Sequence, residues 1–107
     1  MKRGSVWWVE FDPSVGSEIQ KTRPAVIISN DTANKYLPRV VVVPLTSNVS
    51  RIYPGEAVVT VNDNKNKAMT DQIMSADKSR LKNKITELSD ADMGSIETAM
   101  KYFFNLQ

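Results

Sequence analysis

The chain contains no cysteine and no histidine in its 107 residues. Without cysteine there is no disulfide framework, no thiol nucleophile and no thiolate metal site; such a composition fits a reducing cytosol, so the protein is expected to be cytoplasmic. Without histidine the commonest general base and the commonest metal ligand are both missing. Neither a Ser-His-Asp nor a Cys-His nucleophilic arrangement can be built. Glycine is scarce, with four residues, and none of them forms a glycine-rich phosphate loop. Long hydrophobic runs are absent too: a stretch such as Val40–Val43 is far short of the ~20 residues of a membrane-spanning helix. Met1-Lys2-Arg3 has the charge of a secretory leader, but Glu10 and Asp12 arrive too soon for its apolar stretch. A metal site would have to use carboxylates and carbonyls, and candidates such as Asp12 and Asp71 lack tight ligand spacing. No metal and no cofactor is expected.

What is present describes one domain over residues 1–107, long enough for a hydrophobic core. Apolar residues make up 41% and charged residues 24%, as in ordinary soluble proteins. The net charge of +2 is small, and its distribution says more. Lys78-Ser79-Arg80-Leu81-Lys82-Asn83-Lys84 carries four cations and no acid, whereas Glu87, Asp90, Asp92 and Glu97 make the next segment acidic. Such a basic run is either a solvated loop or part of an electrostatic track for a phosphate backbone.

Ser5–Phe11 reads as a strand, with Trp7, Val9 and Phe11 on one face and Val6, Trp8 and Glu10 on the other. Asp12-Pro13-Ser14 ends it. Gly16–Pro24 is a polar loop, followed by a short buried strand from Ala25 to Ser29. Asn30-Asp31-Thr32 can cap one helical turn through Lys35. Four successive valines within Arg39–Leu45 disfavour helix and suit a third strand. Tyr53-Pro54-Gly55 is a turn before a strand from Glu56 to Val61. Asn62–Lys67 reads as a polar tip with nothing to bury, Met69–Ala76 as a strand carrying Asp71 and Gln72, and Ile85–Leu88 as a short final strand. Ser89, with Asp92 three residues on, opens a helix by a variant of the capping box. Met93, Ile96, Met100 and Phe103, with Ala99 and Phe104 beside them, form its apolar stripe. These elements predict a mostly antiparallel β domain, curled toward a barrel and closed by a C-terminal helix.

The chemistry must come from Arg, Lys, Thr, Ser, Glu, Asp and Gln. That set suits a substrate that brings its own nucleophile, as RNA does with its 2′-hydroxyl. The protein then has to orient the phosphodiester, stabilise added negative charge and manage two proton transfers. Arg23 precedes Pro24, which biases it toward extended backbone, and its planar fork can hold two phosphate oxygens. Thr46, at the end of Pro44-Leu45-Thr46, can donate one hydroxyl hydrogen bond. Each has a plainer reading: Arg23 as a surface partner of Glu18 or Glu10, Thr46 as a strand-end turn residue. Glu18 and Lys21 read equally as loop charges, Gln72 as a partner of nearby backbone, and Trp7 and Trp8 as core or subunit interface rather than base-stacking platforms.

Arg3-Gly4-Ser5-Val6-Trp7-Trp8-Val9, Asp12-Pro13, Gly16-Ser17-Glu18, Arg23-Pro24-Ala25-Val26-Ile27-Ile28-Ser29-Asn30, Pro44-Leu45-Thr46 and Asp71-Gln72-Ile73 followed by Asp77-Lys78-Ser79-Arg80-Leu81 occur in this order. Together they resemble the MazF/PemK (Kid-like) toxins of bacterial toxin–antitoxin modules, over nearly the whole chain. The resemblance implies an SH3-like antiparallel β barrel with a C-terminal helix, shared with the CcdB-type toxins, acting as a homodimer. It implies a metal-independent endoribonuclease that cuts single-stranded RNA at short motifs, leaving 2′,3′-cyclic phosphate and 5′-hydroxyl ends. By analogy the catalytic pair falls on Arg23 and Thr46. Ser17 and Glu18 match a substrate-contacting loop, and Asp71 and Gln72 fall where relatives touch RNA bases. A cognate antitoxin with a disordered tail is implied as partner. Many members carry Gln-Gly-Gly after Gly-Ser-Glu; here Ile19-Gln20-Lys21-Thr22 stands instead, which removes backbone freedom and adds the charge of Lys21 near the scissile phosphate. The family role of the arginine includes proton transfer, yet a free guanidinium holds its proton to a pH above ~12. Arg23 is therefore read chiefly as an electrostatic clamp, with Glu18 or solvent sharing the proton work. A gyrase poison of CcdB type and a non-catalytic RNA-binding barrel are the alternatives on the same scaffold.

Overall fold

The computed structural model describes residues 1–11 and 21–107. Seven strands, β1 (Ser5–Phe11), β2 (Lys21–Ile27), β3 (Arg39–Thr46), β4 (Glu56–Val61), β5 (Asn64–Met69), β6 (Met74–Asp77) and β7 (Leu81–Glu87), are joined by two helices, α1 (Asp31–Tyr36) and α2 (Asp90–Phe103). The strand order is β4-β5-β3-β2-β1-β7, with β6 added to β3, and every pairing is antiparallel. This is the mostly antiparallel sheet with a C-terminal helix that the sequence predicts. Among the described residues no helix is long and apolar enough to cross a membrane.

Period-two alternation divides the sheet into two faces. Val6, Val26, Val43, Leu45, Ala57, Val59, Val61 and Ala68 form one core with Met93, Ile96 and Ala99 of α2. Val9, Phe11, Ala25, Ile27, Val40 and Val42 form the other, joined by Ala76 of β6 and Leu81 of β7, so the sheet curls over it. β1 obeys the predicted alternation: Trp7 packs against the second core and Trp8 is exposed. The caps are also as read. Asn30 accepts from the Ala33 N–H at 2.8 Å and Ser89 from the Asp92 N–H at 3.1 Å. The end of the helical stripe differs, since Phe103 and Phe104 are largely exposed and stack edge-on with each other.

Four expectations are corrected. The polar segment Asn62–Lys67 is not an open tip. Asn62 and Asp63 take positive φ (47° and 67°), a two-residue hairpin turn, and Asn64 begins β5. No strand runs from Met69 to Ala76. β3 pairs β5 at Leu45 and Thr46 but β6 at Arg39–Val42, so the chain must turn a corner between the two, and Thr70–Gln72 is that 3-10 turn. Thr70 is fully buried there, its hydroxyl donating to the Gly55 carbonyl. β2 begins at Lys21 rather than Ala25 and ends at Ile27 rather than Ser29, which brings Arg23 and Pro24 inside a strand. The last strand is longer than Ile85–Leu88, and the basic run is a 3-10 turn (Lys78–Arg80) leading into β7. β7 ends the strand order, where exposed lysines such as Lys82 and Lys84 deter edge-to-edge pairing.

Candidate active site

Arg23 and Thr46 line one groove, at the end of the β2–β3 ladder. β2 and β3 pair Ile27 with Val42, Val26 with Val43 and Ala25 with Pro44. Continued by two residues, that register sets Arg23 across from Thr46 on one face of the sheet. The pairing stops before reaching them, and proline explains why. Pro24 and Pro44 bring one missing N–H to each strand, so whichever phase the hydrogen-bond ladder takes, a donor is lost. Beyond that point β3 turns to β5, pairing Leu45 with Ala68 and Thr46 with Lys67. The two strands splay, and a groove of about 700 Å³ opens between them.

Arg23, Pro24, Leu45 and Thr46 line this groove, with Ser47 and Thr22 beside them. Trp8 and Ile85 give it an apolar side, and Asn62, Asn64, Lys65 and Asn66 of the β4–β5 hairpin form the facing wall. Among the described residues its charged members, Arg23 and Lys65, are both cations, and no carboxylate lines it. Arg23 is half-buried and no ion pair joins it to a described residue, Glu10 included. Thr46 Oγ1 accepts from the Asn48 N–H at 3.2 Å. A hydroxyl that accepts from the backbone keeps its own hydrogen for another acceptor. The groove is therefore lined by a planar cation and a hydroxyl donor.

The other predicted residues are distributed differently. Ser17 and Glu18 lie outside the described residues, as does the Asp12-Pro13-Ser14 break. Lys21 opens β2 opposite Phe11. Asp71 and Gln72 sit on the corner turn, which packs against α2, β3 and β4, and neither lines the groove. Asp71 is exposed, and the Gln72 amide donates to Met69 Sδ at 3.7 Å. The basic run is partly engaged within itself. Lys84 pairs with Glu87 at 2.8 Å, and this contact holds the Glu87 carboxyl below its ordinary value. Lys82 Nζ donates to the Ser79 carbonyl at 3.0 Å. The Ser79 N–H donates to Asp77 at 2.9 Å and lowers that carboxyl likewise. A larger recess, about 780 Å³, lies between β4 and α2. Among the described residues its only charged lining member is Glu56, which is paired with Lys67 at 3.2 Å, so no cation lines it to hold a phosphate.

Sequence reasoning missed Trp8 and the β4–β5 hairpin. Trp8 is 42% exposed and lines the groove, whereas Trp7 is half-buried with its indole N–H on Ser5 Oγ at 3.0 Å. Adjacent strand residues face opposite ways, and Trp8 points to the side on which the groove opens. The hairpin was signalled by Asn62-Asp63, a dipeptide suited to positive φ between segments of equal length.

The sequence matches, over residues 2–104, the family described as PemK-like, MazF-like toxin of type II toxin–antitoxin systems. It is 36% identical to the endoribonuclease MazF9 of Mycobacterium tuberculosis, with 99% of this chain and 98% of that protein covered. It is 37% identical to the endoribonuclease MazF of Staphylococcus saprophyticus, covering 94% of this chain and 88% of the relative. Among solved structures, a mycobacterial endoribonuclease in complex with its cognate antitoxin superposes with a TM-score of 0.82 at 27% identity, over 100% of this chain and 97% of the other. MazF of Deinococcus radiodurans gives 0.85 at 21% identity over 99% and 97%, a likeness of fold.

Proposed function

This chain belongs to the PemK-like, MazF-like toxin family of type II toxin–antitoxin systems, and we propose that, as an RNA-cleaving toxin of that family, it cuts single-stranded RNA through attack of the 2′-hydroxyl on its own phosphodiester. The observation that supports this most is that Arg23 and Thr46 line one groove where the β2–β3 ladder ends, with cations alone as its charged lining among the described residues. The 2′-oxygen forms a bond to phosphorus as the bond to the 5′-oxygen breaks. Arg23 holds two non-bridging oxygens through its fork and neutralises the charge that builds on them. The Thr46 hydroxyl donates to one of those oxygens. The 2′-hydroxyl proton leaves to Glu18 or water, and the departing 5′-oxygen gains a proton from solvent. The products are a 2′,3′-cyclic phosphate and a 5′-hydroxyl. Ser17, Glu18 and Lys21 contact the same strand of RNA, as do Asp71 and Gln72 farther along its path, and the exposed face of Trp8 stacks on a base. No metal and no cofactor takes part. The enzyme works as a homodimer in the cytoplasm, held in check by a cognate antitoxin whose disordered tail occupies the groove.

The test is an RNA oligomer carrying one 2′-deoxy position at a time, incubated with the protein in EDTA. We expect cleavage of the all-ribose strand, with 5′-hydroxyl ends, and complete protection when the nucleotide 5′ to the cut lacks its 2′-hydroxyl. Cleavage of that deoxy strand, or dependence on a divalent cation, would overturn the mechanism. A gyrase poison would cut neither strand. Thr46→Val removes the hydroxyl while keeping the β-branched shape. It should lower the single-turnover rate by about 10²–10³-fold, the cost of one oxyanion donor, while Thr46→Ser retains most of the rate.

A further inference from the structure

Asn64 and Asn66 stand on the wrong face of their strand for any purely structural purpose. β5 pairs with β4 so that Asn64 faces Val61, Asn66 faces Val59 and Ala68 faces Ala57. Cross-strand partners share a face, and this face is the first core, where Val61, Val59, Ala57 and Ala68 are all buried. Asn66 thus occupies an inward position where an apolar residue belongs, at only 7% exposure, and Asn64, on the same face at the hairpin end, is exposed. Asparagine is a poor strand former, and burying an amide carries a free-energy cost unless its hydrogen bonds are met. The hairpin turn does not require them either, because the positive-φ positions are Asn62 and Asp63. What the two positions share is the groove: both line it, together with Arg23 and Thr46.

We propose that Asn64 and Asn66 of the β4–β5 hairpin read the edge of a base beside the scissile phosphate and so set the sequence that is cut, an inference that rests on the RNA-cleaving reading of the groove. The hairpin is fixed relative to the reaction centre, since Lys67, next to Asn66, is the register partner of Thr46. At its other end the Thr60 N–H donates to Asp92 Oδ2 of α2 at 2.9 Å. The amides are also oriented. Asn64 Nδ2 donates to the Asn62 carbonyl at 3.1 Å and Asn66 Nδ2 to the Asn64 carbonyl at 3.4 Å. Each amide group thereby spends one N–H on the hairpin and keeps one donor and one acceptor. That pair complements a base edge that sets a donor beside an acceptor, the order of the two deciding which base fits, and single-stranded bases expose such edges. Lys65, on the alternate face between them, is placed for the adjoining phosphate.

The experiment maps 5′-hydroxyl ends made from a long defined RNA by the wild-type protein, Asn64→Ala and Asn66→Asp, and compares kcat/KM on oligomers matched and mismatched at each motif position. Binding of 2′-O-methyl oligomers of the same sequences, which cannot be cut, is measured in parallel. We expect both variants to relax or change the preference at one position, with discrimination there falling about 10- to 100-fold and cleavage of the formerly disfavoured sequence retained. Unchanged motifs, or an equal loss on every sequence, would overturn the assignment. Asn64 is exposed, so its variant guards against a folding defect at Asn66. If the wild-type protein cuts no RNA, the cleavage reading fails, and the hairpin is judged on the binding preference alone: kept in both variants, the inference falls with it.

Discussion

Arg23→Ala should lose RNA cleavage by about 10³–10⁵-fold, the range seen when an arginine that stabilises a phosphoryl transition state is removed, and Arg23→Lys should recover little of it. The pentacovalent phosphate carries more negative charge than the diester, so a cation that contacts it gains strength in the transition state and lowers the barrier directly. A guanidinium contacts two oxygens in one plane; an ammonium is a point charge on a flexible stem and holds one geometry poorly. The position magnifies that difference. Arg23 is within β2, paired with Val9, and its backbone is set by Pro24 and by the neighbouring strand, so a lysine there has the charge without the fork. Melting temperature should be nearly unchanged in both variants, because no ion pair with a described residue is lost. Single-turnover rates at saturating RNA check the prediction. A lysine variant within about tenfold of wild type would show that charge alone suffices and would remove the bidentate clamp from the mechanism.

The same residues show where the sequence could be read and where it could not. β1, β4, the caps at Asn30 and Ser89 and the apolar face of α2 were legible, because alternation, capping side chains and helical spacing agree with the final structure at each. Arg23 and Thr46 were legible as candidates through the residues around them, but their juxtaposition was not. It depends on the sum of two strand positions and on prolines that interrupt both strands at the same level. β5 was illegible for a different reason. Asn64-Lys65-Asn66-Lys67 has no apolar alternation, since its inward positions face the groove and one of its outward lysines is buried. Local pattern failed where the strand departs from core-building. The corner at Thr70–Gln72 was hidden because its cause, the change of partner along β3, lies about thirty residues away in sequence.

That buried lysine carries the second large effect. Lys67 and Glu56 form an ion pair at 3.2 Å with side chains 11% and 10% exposed. Lys67 Nζ also donates to the Arg51 carbonyl at 2.8 Å and lies 5.3 Å from the centre of the Tyr53 ring. Glu56 in turn accepts from the Tyr53 N–H at 2.7 Å. The pair thus fastens the segment that follows Thr46 back onto β5 and β4. Removing one partner leaves the other charge buried without compensation, so Lys67→Met or Glu56→Leu alone should cost about 3–5 kcal/mol of unfolding free energy. The double variant Lys67→Met/Glu56→Leu should regain much of the loss, since a well-packed apolar pair is often as stable as the ion pair it replaces. Recovery should stay incomplete, because the Tyr53 N–H and the Arg51 carbonyl lose their partners. Urea unfolding of the four proteins closes the double-mutant cycle, and single losses below about 1 kcal/mol would reduce the contact to an ordinary surface pair. Activity gives the second readout. Thr46 is the register partner of Lys67, so the double variant, folded but without the fastening, should cleave more slowly at temperatures far below its unfolding transition. A stable double variant with the wild-type rate would mean that β3 alone positions the Thr46 hydroxyl and that the ion pair serves the fold only.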